Sequence, residues 1–439
     1  MSFRTTLAAV VVFVSLVPVC LGQGIVAQGA RLQDPALAVA ADTGDFIVVW
    51  NDVDQGTSLG VFARLYDKSG KPKGPAFLVH EKRGGDQVLP RVAADPAGNF
   101  IVVWQGGIRI SESGVSPGGD GAGTGVFLQR FDRDGKRLGG LTRASASAAG
   151  HQTRPNVAVH ADGSFEVVWE ECTATFRCPS LRVGRFQADG SRRGGELEIA
   201  IPVAVSFGGG TFPVPTPHIV AEPDGFAVGW TEFESCYKWY AEHFPVVLHF
   251  TEAALPFAEK YRLDDGDCED ATGWDVAALV ADRAGSTAAF FNGLADRNTV
   301  QRFTPEGSPV GRRSPVGSKN ACYDHHGRVR CEVIATAGMG PDGRSAVVWN
   351  VDEPTGGPGT PVRYFLQGQL FDRKGQPVGD RFEIPGSSQK SYGRESMAGL
   401  DQDGTSTVVW IQSVEEGGAI PKARLRVQQF RFPGKPDGD

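Results

Sequence analysis

Past its first 22 residues the chain has no apolar run near the ~20 residues that would span a bilayer as a helix. It has no basic block either. The 44 Lys and Arg stand against 51 Asp and Glu, a formal net charge of -7, so the chain lacks the electrostatic footprint of a nucleic-acid or anionic-membrane binder. The metalloprotease run H-E-x-x-H, the sialidase box S-x-D-x-G-x-T-W and the C-x-x-C pairs of zinc sites are all missing, and with them the signatures of those chemistries. What is present in quantity is turn-forming residues. The 58 Gly and 28 Pro make up roughly a fifth of the 439 residues, beside 41% hydrophobic residues, the balance of a globular, turn-rich protein rather than a low-complexity one.

The N-terminus carries one basic residue, Arg4, then the apolar stretch LAAVVVFVSLVPV and the small-residue region Cys20-Leu21-Gly22. This predicts a signal peptide over 1–22 with cleavage before Gln23, and hence a secreted, periplasmic or cell-surface protein. Val19 stands where a lipoprotein signal has Gly, Ala or Ser, which argues against acylation of Cys20. Of seven cysteines, six remain after cleavage, an even number in a chain bound for an oxidising compartment.

The stretch DFIVVWN at 45–51 recurs as NFIVVWQ (99–105), SFEVVWE (164–170), GFAVGWT (225–231), STAAFFN (286–292), RSAVVWN (344–350) and TSTVVWI (405–411). Its aromatics, Trp50, Trp104, Trp169, Trp230, Phe291, Trp349 and Trp410, are separated by 54, 65, 61, 61, 58 and 61 residues. Such a period marks a repeat architecture. A second element follows each copy, as in ARLYDKSG (63–70), LQRFDRDG (128–135) and GQLFDRKG (368–375); only the fourth, VLHFTEAA (247–254), lacks its closing glycine.

Each unit reads as four strands, A to D, with short Asp/Gly turns between A and B and between C and D. Strand B is apolar on both parities, so both its faces are expected to be buried. Seven four-stranded antiparallel sheets repeated around an axis make a β-propeller. The last repeat stops after strand C, and the segment around Gly24 to Arg31 precedes the first strand A, where it can supply the missing strand and close the ring. The expected fold is therefore all-β, one seven-bladed propeller domain over 23–439 closed by its N-terminal strand.

The units resemble those of bacterial secreted tandem-repeat proteins of the form P-x-V-A-x-x-x-D-G-x-F-x-V-V-W followed by G-V-x-x-Q-R-F-D-x-x-G. Blades 1, 2, 3, 6 and 7 match well, blade 5 partly and blade 4 weakly. The resemblance implies a secreted propeller module of mostly unassigned function, and it transfers no catalytic residue.

Alternating strand direction puts A–B and C–D turns on one face and B–C and D–A connections on the other. The second set is long and dissimilar: 105–124, 170–181, 201–216, 231–246, 262–275, 315–332, 350–363 and 411–422. Every mature cysteine falls there, and shared face and proximity favour the pairs Cys172–Cys178, Cys236–Cys268 and Cys322–Cys331 among fifteen connectivities. Residues following the strand B aromatic, such as Asn51, Gln105, Glu170, Asn292 and Asn350, are expected to rim the central channel.

Three groups of side chains stand out on the loop-rich face. Asp264, Asp265, Asp267, Glu269 and Asp270 supply oxygen for Ca²⁺ if the backbone curls around it, against the commoner outcome of a solvated acidic loop; no other cofactor is implied. Tyr323, His325, His326, Arg328 and Arg330 could serve polysaccharide β-elimination, Tyr or His taking the proton and Arg neutralising a uronate. Trp239, Tyr240 and Trp274, with Tyr237, offer faces that stack on sugars or anchor a protein, or simply pack beneath the loops. A glycosidase would need a carboxylate pair, with Glu170, Glu171, Glu232 and Glu234 as candidates. The reading favoured is a binding module for an extracellular glycan or protein, without nucleic acid. The alternatives are a polysaccharide-degrading enzyme, a lyase before a glycosidase, and a structural envelope protein.

Overall fold

The computed structural model describes residues 19–29, 32–53, 58–80, 85–111, 114–117, 123–147, 149–174, 177–201, 217–236, 240–262, 275–292, 298–317, 331–355, 362–388, 395–414 and 422–431. Each repeat folds into one antiparallel sheet whose strands follow chain order, giving seven blades of a β-propeller with no helix among the described residues. In blade 1, strands A to D are Gln33–Val39, Phe46–Val53, Leu59–Tyr66 and Phe77–Leu78. The strands A of blades 2 to 7, nearest the axis, are Asp86–Ala94, His151–Val159, His218–Glu222, Asp275–Ala281, Cys331–Met339 and Ser396–Leu400.

Blade 7 takes its fourth strand from the other end of the chain. Val19–Gly29 pairs antiparallel with Lys422–Arg431, from Val19 opposite Arg431 to Gly29 opposite Ala423. The ring thus closes as expected, though the strand begins within the segment read as a leader. Cleavage before Gln23 would keep the pairs from Gln23–Gln428 to Gly29–Ala423.

Successive residues of strand B face opposite neighbours. Ile47 and Val49 pack with Val102 and Trp104 of blade 2, while Val48 and Trp50 pack with Val409 and Leu425 of blade 7. Burying a large apolar side chain contributes about 1.5–3 kcal/mol, and here both faces of the strand collect it. In blades 1 to 4 the first aromatic of strand B also stacks on that of strand C, as in Phe46–Tyr66 and Phe165–Phe186, centroids 4.7 and 4.9 Å apart.

The C–D turns are built by their aspartates. Asp67 Oδ1 accepts the N–H groups of Ser69 and Lys71, Asp132 and Asp372 repeat the arrangement, and the closing glycines Gly70, Gly135 and Gly375 take φ of 80°, 85° and 76°. Only glycine enters this left-handed region freely. In blade 4 the same place is held by Ala254 at φ 60°, the one copy whose motif lacks the glycine.

Several B–C connections expected as loops are instead extensions of the hairpin. In blade 4, Gly225–Cys236 pairs with Tyr240–Thr251 along its whole length, leaving three residues between. In blade 2, Phe100–Ser111 turns back through Gly114–Pro117, and blades 6 and 7 extend to Pro354 and Val414. These segments keep their backbone groups paired with each other, the state that pairing favours over an irregular loop. They project as arms on the loop-rich face.

Candidate functional site

The residue after the strand B aromatic does not rim the channel as the sequence suggested. Asn51 is fully buried, donates Nδ2 to the Gln87 carbonyl at 2.7 Å and the Gly60 carbonyl at 3.1 Å, and accepts the Leu89 N–H at 3.1 Å. Gln87 and Leu89 belong to strand A of the next blade. Asn292 does the same for Ile334, with bonds of 2.7 and 3.1 Å, and Gln105 and Thr231 accept the N–H groups of Arg154 and Val276.

The need for this clamp comes from a bulge in strand A. Pairing skips between Gln33 and Ala36, Val88 and Arg91, and Thr153 and Asn156, where Asp34, Leu89 and Arg154 take φ of 49°, 54° and 50° before a proline. A bulge leaves a backbone N–H outside the ladder, and the preceding blade supplies its acceptor. On the opposite face a second clamp crosses four of the seams, 2–3, 3–4, 5–6 and 7–1. Arg185 and Arg302, each just before the strand C aromatic, donate to the Glu252 and Arg373 carbonyls of the next blade's turn, and Gln429 donates to Lys68.

The seam that closes the ring departs from the pattern. Ile411 follows the strand B aromatic of blade 7, and the Asp34 N–H is accepted at 2.6 Å by Glu395, the residue preceding strand A of that blade. This places two carboxyl groups side by side at the loop-rich end of the channel. Arg91 of blade 2 feels the charges of both Asp34 and Glu395, and His218 of blade 4 feels that of Arg91. The groups stand on strands A, or just before one, of blades 7, 1, 2 and 4, the strands that line the channel.

Water reaches Glu395, and Asp34, Arg91 and His218 are half-buried. Loss of bulk solvent, then the Asp34 charge, pushes the Glu395 carboxyl up to about 7, against the pull of the Asp34 N–H and Arg91. Burial also raises the Asp34 carboxyl and lowers Arg91, each opposed by the other's charge. Burial and then Arg91 bring His218 down to about 4, so its ring is neutral in ordinary buffers. Its Nε2–H donates to the Val276 carbonyl at 3.2 Å, which leaves Nδ1 as an acceptor.

Sequence reasoning passed over these four. The available signal was the column beside the strand A prolines: Asp34 before Pro35, Arg91 after Pro90, His218 after Pro217, and Glu395 at the matching place in blade 7. Of the residues singled out, Trp239, Trp274, Asp264, Asp265, Asp267, Asp270, Tyr323, His325, His326, Arg328 and Arg330 lie outside the described residues, and of Tyr240 only the backbone, paired with Cys236, is described.

Three of the four carboxylates considered for a glycosidase have structural partners, and of Glu234 only the backbone, paired with Glu242, is described. Glu171 and Glu232 accept the indole N–H groups of Trp169 and Trp230 at 3.1 and 3.2 Å, and Glu232 also pairs with Lys260. Glu170 is fully buried, held by Thr153 and by Arg154 at 2.8 Å; burial raises its carboxyl against Arg154. Cys172 and Cys178 are joined as expected, so their sulfurs are not metal ligands beside Glu170. Cys331 is disulfide-bonded; Cys322 and Cys268 lie outside the described residues. The run G-V-S-P-G at 114–118 matches the serine-hydrolase pentapeptide, but Gly114–Pro117 is a strand of the blade 2 arm, without the strand-to-helix elbow that motif requires.

No family model matches the chain, and no curated protein matches it. Among solved structures it is similar to a protein of unknown function from Dyadobacter fermentans, at 10% identity and TM-score 0.49 over 95% of this chain and 99% of that one. A polysaccharide lyase, an ulvan lyase, is similar at 10% identity and TM-score 0.49 over 92% and 94%. The β-propeller domain of the Trilobed protease from Pyrococcus furiosus is similar at 10% identity and TM-score 0.46 over 94% and 96%. At such identities and scores the likeness is one of general architecture, and the chemistry of those proteins does not transfer.

Proposed function

We propose that the protein is an extracellular binding module that takes a glycan at the loop-rich mouth of its central channel. The observation that supports this is the meeting of Asp34, Arg91, His218 and Glu395 from four blades at one end of the channel, where the repeat pattern is broken. The same face carries the hairpin arms of blades 2, 4, 6 and 7. Mixed donors and acceptors in a recess set orientation and specificity for a small ligand, and the end of a sugar chain fits a recess that a protein surface does not enter. The disulfides at Cys172–Cys178 and Cys331 suit an oxidising compartment.

The test is a glycan array with the mature chain, run beside an absorbance assay for unsaturated uronates. Saturable binding without absorbance growth supports the module. Absorbance growth would replace it with a lyase, and the absence of both would leave a structural role.

A further inference from the structure

Four departures from the repeat meet beneath the short-turn face of blades 3 and 4. Where strand A ends in blades 2, 5 and 7, Asp95, Asp282 and Asp401 accept the N–H four residues on; blades 3 and 4 carry His160 and Glu222 there instead. Glu166 stands in strand B of blade 3 at the place of Ile47 and Ile101, and His249 stands in strand C of blade 4 where blades 2, 3 and 5 have the clamping Arg130, Arg185 and Arg302. The four side chains form two largely buried pairs. His160 Nε2 lies 2.8 Å from Glu166 Oε2, and His249 Nδ1 lies 2.8 Å from Glu222 Oε1. The second pair is almost wholly out of water, 1% and 3% exposed, and His249 Nε2 and Glu222 Oε2 have no hydrogen-bond partner among the described residues. The His249 ring nevertheless reaches blade 5. Its centroid is 5.3 Å from that of Phe303, and a Cβ on Gly307 would come within 2.9 Å of it. At this seam a titratable ring thus takes the place of the arginine-to-carbonyl clamp.

We infer that these four groups make the packing of blades 3, 4 and 5 sensitive to pH, holding both seams closed in mildly acidic solution and loosening them as protons leave. Each pair carries no net charge while it holds one proton beyond those of a carboxylate and a neutral ring. Losing that proton leaves a carboxylate beside a neutral ring where water scarcely reaches, and a buried charge without a charged partner is strongly destabilising. The surroundings do not supply a replacement. Asp162, in the turn of blade 3, adds a further negative charge near His160, while Phe257, Phe303 and Gly307 around His249 bring no charge. Glu222 joins the pairs, since the His160 charge acts on its carboxyl and its backbone favours the charged His160 ring. Burial raises the Glu222 carboxyl above its ordinary 4.5, against the pull of His249 and His160. Although burial lowers the His160 ring, Glu166 and Asp162 raise it above 6.5. A raised folded value gives stabilisation that is full below the unfolded value and is lost as pH rises through the folded one. Both contributions therefore fade in the same direction, that of Glu222 from pH 4.5 upward and that of His160 from pH 6.5 upward.

The experiment is hydrogen–deuterium exchange of the mature chain, read by mass spectrometry at pH 5.0 and pH 8.5, with each rate divided by that of an unstructured amide at the same pH. The expected result is a fall in protection of about tenfold or more at the higher pH, the factor that one unit of pKa shift confers. It should appear in peptides from His151–Val159, His218–Glu222 and Tyr240–Thr251, and be smaller in Ser345–Pro354 of blade 6, which lacks such pairs. Glu222→Gln keeps a hydrogen bond to His249 without a titrating carboxyl, so it should lessen the fall in blade 4. His160→Gln combined with Glu166→Gln should lessen it where blade 3 meets blade 4. Should Glu222→Gln not fold, His249→Gln removes the same titration from the other side. A fall of equal size in blade 6, a fall that a folded Glu222→Gln or His249→Gln leaves unchanged, or protection that rises with pH would each overturn the inference.

Discussion

Replacing Asn51 by leucine tests the inter-blade clamp. The substitution puts an apolar side chain of similar size at a fully buried position and removes three hydrogen bonds at once, those to Gln87, Gly60 and Leu89. The Leu89 N–H lies at a bulge outside its own ladder, so it is left without an acceptor, at about 1–3 kcal/mol for a buried polar group. The two carbonyls lose a donor, each worth about 1 kcal/mol net. The expected loss is about 3–5 kcal/mol, a large part of the roughly 5–15 kcal/mol that holds a native protein together. Thr231→Val calibrates the measurement. It removes one bond at the matching seam, at 3.4 Å, and should cost about 1 kcal/mol. Equilibrium unfolding in guanidinium chloride, followed by tryptophan fluorescence, reads both variants. A loss in Asn51→Leu no greater than in Thr231→Val would refute the argument that this position, rather than the apolar seam alone, fixes neighbouring blades.

Ala254→Gly should raise stability by about 0.5–1 kcal/mol in the same unfolding assay, because alanine at φ 60° bears a cost that glycine in the matching turns of blades 1, 2, 3, 5 and 6 does not; a loss of stability would show that the turn is not strained. His160 pairs with Glu166 at 2.8 Å, and although burial lowers its affinity for a proton, Glu166 and Asp162 raise the ring above its ordinary 6.5. A raised folded value means the stabilisation is full below pH 6.5 and fades as pH rises through the folded value, so His160→Gln should cost most in acid and least in alkali; a cost independent of pH would contradict the pairing. Peptide mapping without reduction should find Cys322–Cys331 and Cys236–Cys268 beside Cys172–Cys178, and Cys236 linked elsewhere would undo the loop assignment.

The ring was legible because each element repeats. Trp50 and its six counterparts, strand B apolar on both parities, and a chain ending one strand short together determine seven blades and their closure. The Asp67-type turns were legible for the same reason, since aspartate and glycine act within five residues of chain. The clamp was not. Asn51 looked like a channel residue because it ends strand B, and its partners Gln87 and Leu89 lie in the next blade, where only the bulge of strand A brings an unpaired N–H to it. The channel mouth was hidden more deeply. Asp34 and Glu395 are 361 residues apart and meet only because the ring closes. The arms of blades 2 and 4 read as loops in the sequence because they do not resemble each other, although pairing along a hairpin needs no such resemblance.

The most direct measurement of the central claim is a crystal structure of the mature chain with the glycan that binds it best on the array. The account predicts a sugar residue at the loop-rich mouth of the channel, its hydroxyls within hydrogen-bond distance of Arg91 and of Asp34 or Glu395. A sugar seated on the short-turn face, or along the outer strands with the channel mouth holding only water, would contradict it.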